Sequence, residues 1–282
     1  MFVSTGTHTI QTAMHPSALI SIMSALAFVG FSGAGGHVDT PMSNSQAQYV
    51  HHEANTRGHA NHGWLNSYHS FSFASWHNPS RMNFGALRVL NDDDVAGAGG
   101  FQTHPHDNME IVSIPLSGDL EHADNMGNTA VIRSGDVQIM SAGTGVLHSE
   151  KNHSAIDAVQ FLQIWVFPNE SELKPSYDQE TFSAEAELND LLCVVSPDGK
   201  QGVQIHQNAW FHLGTWDAGT KHDYALHGTG QGVYAFVLEG AIELDGKSLA
   251  RRDGMGVWQT DSISITAREN ARFLLMEVPM QW

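Results

Sequence analysis

One cysteine, Cys193, stands in a chain of 282 residues. That scarcity excludes an intramolecular disulfide framework and any cysteine-rich zinc or iron–sulfur site. Basic residues are scarce as well: 13 Lys and Arg face 30 Asp and Glu, for a formal charge of −17. Such a balance argues against a general phosphate-backbone binder, whose affinity rests on Lys and Arg, so no nucleic-acid partner is expected. Charged residues of both signs make up only 15%, against roughly 25% in an average soluble domain. The apolar run 18–31 falls short of the roughly 20 residues a membrane-spanning helix needs, so no membrane span is expected. What the chain does have is glycine, at 27, and histidine, at 18, more than its Lys and Arg together. With thiolate sites excluded, any metal chemistry rests on imidazole and carboxylate. A hydrophobic fraction of 41% suffices for packed cores, and the length fits one large or two medium domains.

No Lys or Arg precedes Arg57. The run 18–31 has the length of a signal-peptide core, yet only His8 and His15 stand before it where a positive segment belongs. Residues 1–41 therefore read as an over-long start with the natural one at Met42, as an export signal, or as an unusual extension. The functional chain begins near Gln48 in each case. The expected location is cytoplasmic, with export only if 1–41 is a genuine signal.

From there the pattern is all-β. Residues 110–116, 129–133, 137–141, 159–166, 234–239, 241–244 and 271–278 form short strand-like runs bounded by Gly, Asn and Asp, as in a sandwich or barrel. Asp245-Gly246 predicts a type I′ hairpin turn. The only helical pattern, 184–188, lies in an acidic stretch, 168–197, that reads as a bridge between two β domains. A weak repeat agrees with two domains. Ile111 to Gly118 resembles Val233 to Gly240 at an offset of 122, and Arg133-Ser-Gly-Asp136 resembles Arg252-Asp-Gly-Met255 at an offset of 119.

The candidate metal residues come in two pairs, His104-Pro-His106 and His148-Ser-Glu150. On a strand, residues i and i+2 share a face, so two facing strands would aim three imidazoles and one carboxylate inward. That donor set suits Fe(II), Mn(II), Ni(II), Cu(II) or Zn(II). With 18 His in the chain, chance alone supplies about one His-x-His and about one His-x-Glu pair, so position must carry the argument. His104-Pro-His106 precedes a strongly apolar run, and Gly143-Thr-Gly145 precedes Val146-Leu147-His148, as glycines at a barrel rim do.

Residues 57–168 resemble the pirin family of the cupin superfamily. The segments that carry the resemblance are Arg57-Gly-His-Ala-Asn-His-Gly63, Ser70-Phe-Ser-Phe73 and Phe84-Gly-Ala-Leu-Arg-Val-Leu90-Asn-Asp-Asp93. They continue with His104-Pro-His-Asp-Asn-Met-Glu110-Ile, Asp124-Asn-Met-Gly-Asn128, Met140-Ser-Ala-Gly-Thr-Gly145, His148-Ser-Glu150 and Lys174-Pro-Ser-Tyr177. After Val195 only the β pattern and the length agree.

The resemblance implies a bicupin: two tandem double-stranded β-barrels of jelly-roll type with short helices. Metal is expected in the first alone. The expected division is an extension at 1–41, a metal-binding cupin at 48–167, a connection at 168–197 and a metal-free cupin-like domain at 198–282. The family's ligands map onto His104, His106, His148 and Glu150. By the repeat offsets, Leu226, Gly228 and Ala267 stand in place of the three histidines in the second half. Glu110 has the His-x-His-x₃-Glu spacing of many cupins, but the pirin-like pattern favours Glu150 and leaves Glu110 a supporting role. One divalent ion is expected, Fe(II) first, with Mn, Ni, Cu or Zn as alternatives.

The implied activity is that of a quercetin 2,3-dioxygenase, opening a flavonol with O₂ and releasing CO. Glu150 would take the flavonol proton, and Phe84, Leu87 and Met140 would line an apolar slot. The alternative is a non-catalytic, redox-responsive iron protein that binds a protein partner. His59, His62, His69 and His77 are expected to edge the pocket or pack between barrels, and His122 and His153 to reach its mouth. His206, His212, His222 and His227 are expected to be structural. The seven tryptophans are expected in cores or interfaces, and Asp92-Asp93-Asp94 in a solvated loop.

Overall fold

Alternating burial along each run decides which face of a strand turns inward, and nearly every regular element is a strand. The computed structural model describes residues 46–282, and the expectations for residues 1–41 lie outside that range. The first half contributes β1 (Gln48–His52), β2 (Gly58–Asn61), β3 (Leu65–His69), β4 (Leu87–Val95), β5 (Gly100–His106) and β6 (Glu110–Ser117). It continues with β7 (Leu120–Asp124), β8 (Thr129–Ile132), β9 (Asp136–Ser141), β10 (Val146–Asn152), β11 (Val159–Val166) and β12 (Ser176–Thr181). The second half contributes β13 (Leu192–Ser196), β14 (Val203–Gln204), β15 (Trp210–Trp216), β16 (Lys221–Ala225) and β17 (Gln231–Glu239). β18 (Ile242–Leu244), β19 (Lys247–Leu249), β20 (Gly254–Trp258), β21 (Ser262–Ala267) and β22 (Ala271–Pro279) complete it. Two 3-10 turns, Ala54–Thr56 and Ala184–Glu187, are the helical elements among the described residues. None of the described helices is long and apolar enough to cross a membrane.

Each half pairs a seven-stranded sheet with a four-stranded one. The first barrel joins β12-β9-β6-β11-β4-β3-β2 to β5-β10-β7-β8, and the second joins β1-β20-β17-β22-β15-β13-β14 to β16-β21-β18-β19. This is the expected bicupin. The boundaries drawn on the sequence are crossed by three strands. β1, at the start of the first domain, pairs with β20 of the second barrel, with Gln48 opposite Trp258. Within the 168–197 connection, β12 pairs with β9 of the first barrel and β13 with β15 of the second. Each strand goes where an open sheet edge accepts its backbone groups, which chain order does not reveal.

The two seven-stranded sheets bury one shared core. Phe84, Leu87, Val112, Ile114, Leu162 and Ile164 of the first half meet Phe211, Tyr234, Phe236, Leu274 and Met276 of the second. Alternation sends the other face of each strand into its own barrel. The second barrel's interior is filled by an apolar cluster that includes Trp216, Val237, Ile265 and Phe273. The first barrel's interior holds two smaller clusters, around Phe161 and around Met140. The remaining space there is the cavity described below.

The repeat is real at its first segment and shifted at its second. Gly118 and Gly240 end β6 and β17 with φ of +73° and +72°, a left-handed turn that glycine adopts without strain. The hairpin turn at Asp245-Gly246 has positive φ at both residues, as type I′ requires. In the second segment, Asp136 accepts from the Arg133 backbone N–H, and Asp253 accepts from that of Ala250. Gly135 and Arg252 occupy the same left-handed position, with φ of +96° and +65°. The match is thus Arg133 to Ala250, two residues earlier than the sequence comparison placed it.

Candidate metal centre

The strand pairing that builds the first barrel also gathers its histidines. β10 lies between β5 and β7, with His148 opposite His104 on one side and opposite Asp124 on the other. Alternation along β10 turns His148, Glu150 and Asn152 inward, while Leu147 and Lys151 face out. On β5 an irregularity puts Glu150 opposite Phe101, so Phe101 and His104 both reach the interior although three positions apart.

His104, His106 and His148 offer ring nitrogens that all lie within 4.8 Å of one another. The Nε2 atoms of His104 and His148 face each other at 3.1 Å. His104 Nδ1 lies 2.7 Å from the Gln102 carbonyl and donates to it. That bond fixes the tautomer and leaves Nε2 with a free lone pair aimed at the cluster. His106 packs edge-on against Trp165. Burial, then the neighbouring His104, lowers the His106 pKa to about 4. Burial, with His104 and His106 after it, lowers His148 to about 3. His106 and His148 are therefore neutral at physiological pH, the form that ligates a metal. His148 Nδ1 is buried with no partner. Three convergent imidazoles and an orphaned buried nitrogen fit a divalent cation.

Glu150 joins this cluster through His148. Its carboxylate lies within 4.8 Å of ligand atoms of His122 and His148. Ser113 Oγ donates to Glu150 Oε1 at 2.8 Å and Gln163 Nε2 donates to Oε2 at 2.6 Å. Burial raises its pKa, so the carboxylate is a ready proton acceptor.

Glu110 points the other way. It shares a strand face with Val112 and Ile114, which belong to the core between the barrels. Ser141 Oγ donates to its Oε1 at 2.6 Å and the His206 backbone N–H donates to its Oε2 at 3.1 Å. β5 and β6 are separate strands in different sheets, so the His-x-His-x₃-Glu spacing does not bring Glu110 to the face of His104.

His122 is wholly buried behind the cluster rather than at the mouth, against His148 and Tyr177, with its Nε2 3.1 Å from Asp124 Oδ2. His153 is exposed and pairs with Glu121. Phe84, Leu87 and Met140 do not line the cavity: the first two lie in the inter-barrel core and Met140 in a small interior cluster. The cavity, of about 400 Å³, is walled instead by Trp64, Leu65, Phe73, Phe101 and Trp165, with His104, His106 and Glu150 opening into it. Trp64 and Trp165 are thus pocket residues rather than core. Asp92, Asp93 and Asp94 sit in β4, not in a loop. Asp93 turns into the cavity, Asp92 pairs with Arg57 and Arg252 between the barrels, and Asp94 accepts from Gln160.

The matched positions of the second barrel carry no such donor set. With Gly240 matched to Gly118, Leu244 stands where His122 stands, and its pairing with Ile265 puts Ile265 at the place of Glu150. Ile263 then replaces His148, and Tyr224, opposite Ile263, replaces His104. Leu226 follows in place of His106. The loops differ in length between the halves, so the sequence offsets missed these positions.

Known proteins bear on the same residues. The family description Pirin matches residues 50–166, and that of the quercetinase C-terminal cupin domain matches 193–278. The chain is 41% identical over 230 residues to the quercetin 2,3-dioxygenase of Escherichia coli K12, covering 80% of this chain and 97% of that one. A pirin-like protein of Caulobacter vibrioides is 38% identical over 222 residues, 78% of this chain and 95% of that one. The crystal structure of YhhW from Escherichia coli superposes with a TM-score of 0.79 at 38% identity, covering 82% and 98% of the two chains. A second YhhW structure, a nickel(II) complex described as a bacterial pirin, superposes with a TM-score of 0.78, covering 82% and 99%.

Proposed function

The chain belongs to the pirin family, and on that premise we propose that it is a metal-dependent dioxygenase. It would open a flavonol such as quercetin with O₂ and release carbon monoxide. The name of the relative at 41% identity supports the reaction. The observation that carries it is the convergence of three imidazoles on an aromatic-walled cavity of about 400 Å³, a size that suits a small-molecule ligand.

We assign His104, His106, His148 and Glu150 as the residues that would hold one divalent ion, Fe(II) by preference. When bound, the ion supplies Lewis acidity that lowers the pKa of a hydroxyl beside it. The chain supplies the rest. Glu150 accepts the proton of the flavonol 3-hydroxyl at a carboxylate oxygen, and Ser113 and Gln163 keep that carboxylate in place. Phe73, Phe101 and Trp165 hold flat rings between apolar surfaces and exclude water.

The test is direct. The protein loaded with Fe(II) is given quercetin, and flavonol absorbance and CO are followed with and without O₂. O₂-dependent loss with CO release supports the proposal, and His106→Ala removes both metal and turnover. Tight iron binding without turnover of any flavonol would overturn it, in favour of a redox-responsive partner for another protein.

A further inference from the structure

We propose that the cavity contains a second recognition site, an acceptor-rich strip formed by Ser67, His69, Asn91 and Asp93, which takes the hydroxyl groups of a phenolic ring held away from the metal ligands. The proposal rests on the flavonol reading above and names the part of that substrate the protein selects.

The strip follows from strand order. β3, β4, β11 and β6 lie side by side, and their registers set His69, Asn91, Gln163 and Ser113 in one row across the sheet. Ser67 and Asp93 form the next row. Residues directly opposite on one face are neighbours, so a continuous polar band crosses the inner wall. It starts at Ser113 and Gln163, which hold Glu150, and ends at Asp93. An apolar interior would be expected on a buried face like this one. The second barrel supplies Leu275 at the position of Gln163, judged by the pairing of Ala235 with Leu275 and of Ser113 with Gln163.

The band is also unsatisfied. Among the described residues, ten buried side-chain polar atoms lack a hydrogen-bond partner, and five belong to residues that line this cavity. They are His69 Nδ1, Asn91 Oδ1, Asp93 Oδ1, Gln163 Oε1 and Trp165 Nε1. A buried polar group left unpaired is costly, and folded proteins rarely keep one without a reason. Five on residues that line one space mark a wall suited to polar partners that arrive from outside.

The kind of partner follows from the atoms. Three of the five are carbonyl or carboxyl oxygens, which accept hydrogen bonds. Gln163 cannot turn its amide over, because its Nε2 is committed to Glu150 Oε2 at 2.6 Å. His69 Nε2 is occupied by Ser67 Oγ at 2.8 Å, which leaves Nδ1 without a partner. Asp93 is 3% exposed, and burial pushes its carboxyl up to about 7, so an incoming hydroxyl donor would relieve it. A ligand rich in hydroxyl donors on an aromatic ring matches both the acceptors and the walls of Trp64, Phe73 and Phe101.

The experiment compares two flavonols on the metal-loaded protein without O₂. Quercetin carries two hydroxyls on its remote phenyl ring, and galangin carries none there. Tryptophan fluorescence reads binding of each. A site built around substrate hydroxyls rejects the analogue that lacks them. The expected result is that quercetin binds at least about tenfold more tightly than galangin. Asp93→Leu and Asn91→Leu should each reduce that ratio, with galangin binding and metal content retained as evidence of an intact fold. Equal binding of the two flavonols by the unaltered protein overturns this proposal and leaves the dioxygenase reading standing. A ratio unchanged in both variants also overturns it, and leaves the strip to water. Binding of neither flavonol overturns both readings. The comparison on the unaltered protein decides even where a variant fails to fold.

Discussion

His104 Nε2 and His148 Nε2 face each other at 3.1 Å, while the far nitrogen of His104 is committed to the Gln102 carbonyl. A neutral His148 with its proton on Nε2 makes that contact as a hydrogen bond, and a cation at the same place would take both Nε2 lone pairs once His148 carries its proton on Nδ1. Both arrangements need a neutral His148, and burial keeps it neutral by lowering its pKa to about 3. His148→Ala should therefore abolish binding of one metal equivalent. The change in thermal midpoint on adding metal should vanish with it, since ligand at about 100 times its Kd adds about 2.7 kcal/mol of stability. Metal analysis after gel filtration and a melting curve check both.

Glu150 and Glu110 separate by consequence. Glu150→Gln should lose metal, because it removes the carboxylate beside His148. Glu110→Gln should keep metal and lose stability, by about 1–3 kcal/mol, because an amide NH₂ replaces one of the two buried oxygens that accept from Ser141 Oγ and the His206 backbone N–H. Metal content and denaturant unfolding distinguish the two. Metal lost from Glu110→Gln and retained by Glu150→Gln would reverse the assignment.

The second barrel should contribute no metal. Tyr224, Leu226, Ile263 and Ile265 stand where the first barrel has its donors. Tyr224→Phe should leave the metal stoichiometry at one and cost about 1–3 kcal/mol, because the Tyr224 hydroxyl donates to buried Glu277 at 2.6 Å. Metal titration and unfolding of that variant test the point together.

His52 should make stability pH-dependent. It is buried at the seam, hydrogen-bonded to the Tyr234 hydroxyl at 2.9 Å. Burial, then Arg81 and His51, lowers its pKa from 6.5 to about 4. The unfolded chain therefore binds a proton that the folded chain refuses between those values. The associated stability is complete above pH 6.5 and falls by roughly 1 kcal/mol per pH unit as pH drops towards 4. His52→Asn should remove that share of the slope, read from unfolding at several pH values. An unchanged slope would contradict the burial argument.

Much of this was legible in the sequence because strand faces alternate. The run 159–166 coincides with β11, and the turn at Asp245-Gly246 follows from residues that tolerate positive φ. The histidine pairs were legible as i and i+2 pairs, since that spacing is a property of any strand. What stayed hidden depends on contacts between distant segments. Asp92, Asp93 and Asp94 look like a solvated acidic run, yet each takes a different environment once β4 is paired on both sides. His122 belongs to no motif and joins the site only because β7 pairs with β10. The cavity wall was misplaced because Phe84 and Leu87 face the partner barrel, and a chain does not announce which face of a sheet will meet a second one.

Release of CO distinguishes flavonol ring opening from metal binding alone. Fe(II)-loaded protein, quercetin and O₂ in a sealed vessel should release CO in step with the loss of flavonol absorbance. His106→Ala should release none. Quercetin left intact, or consumed without CO at the same rate by His106→Ala, would contradict the assignment of the His104, His106 and His148 cluster as a dioxygenase centre.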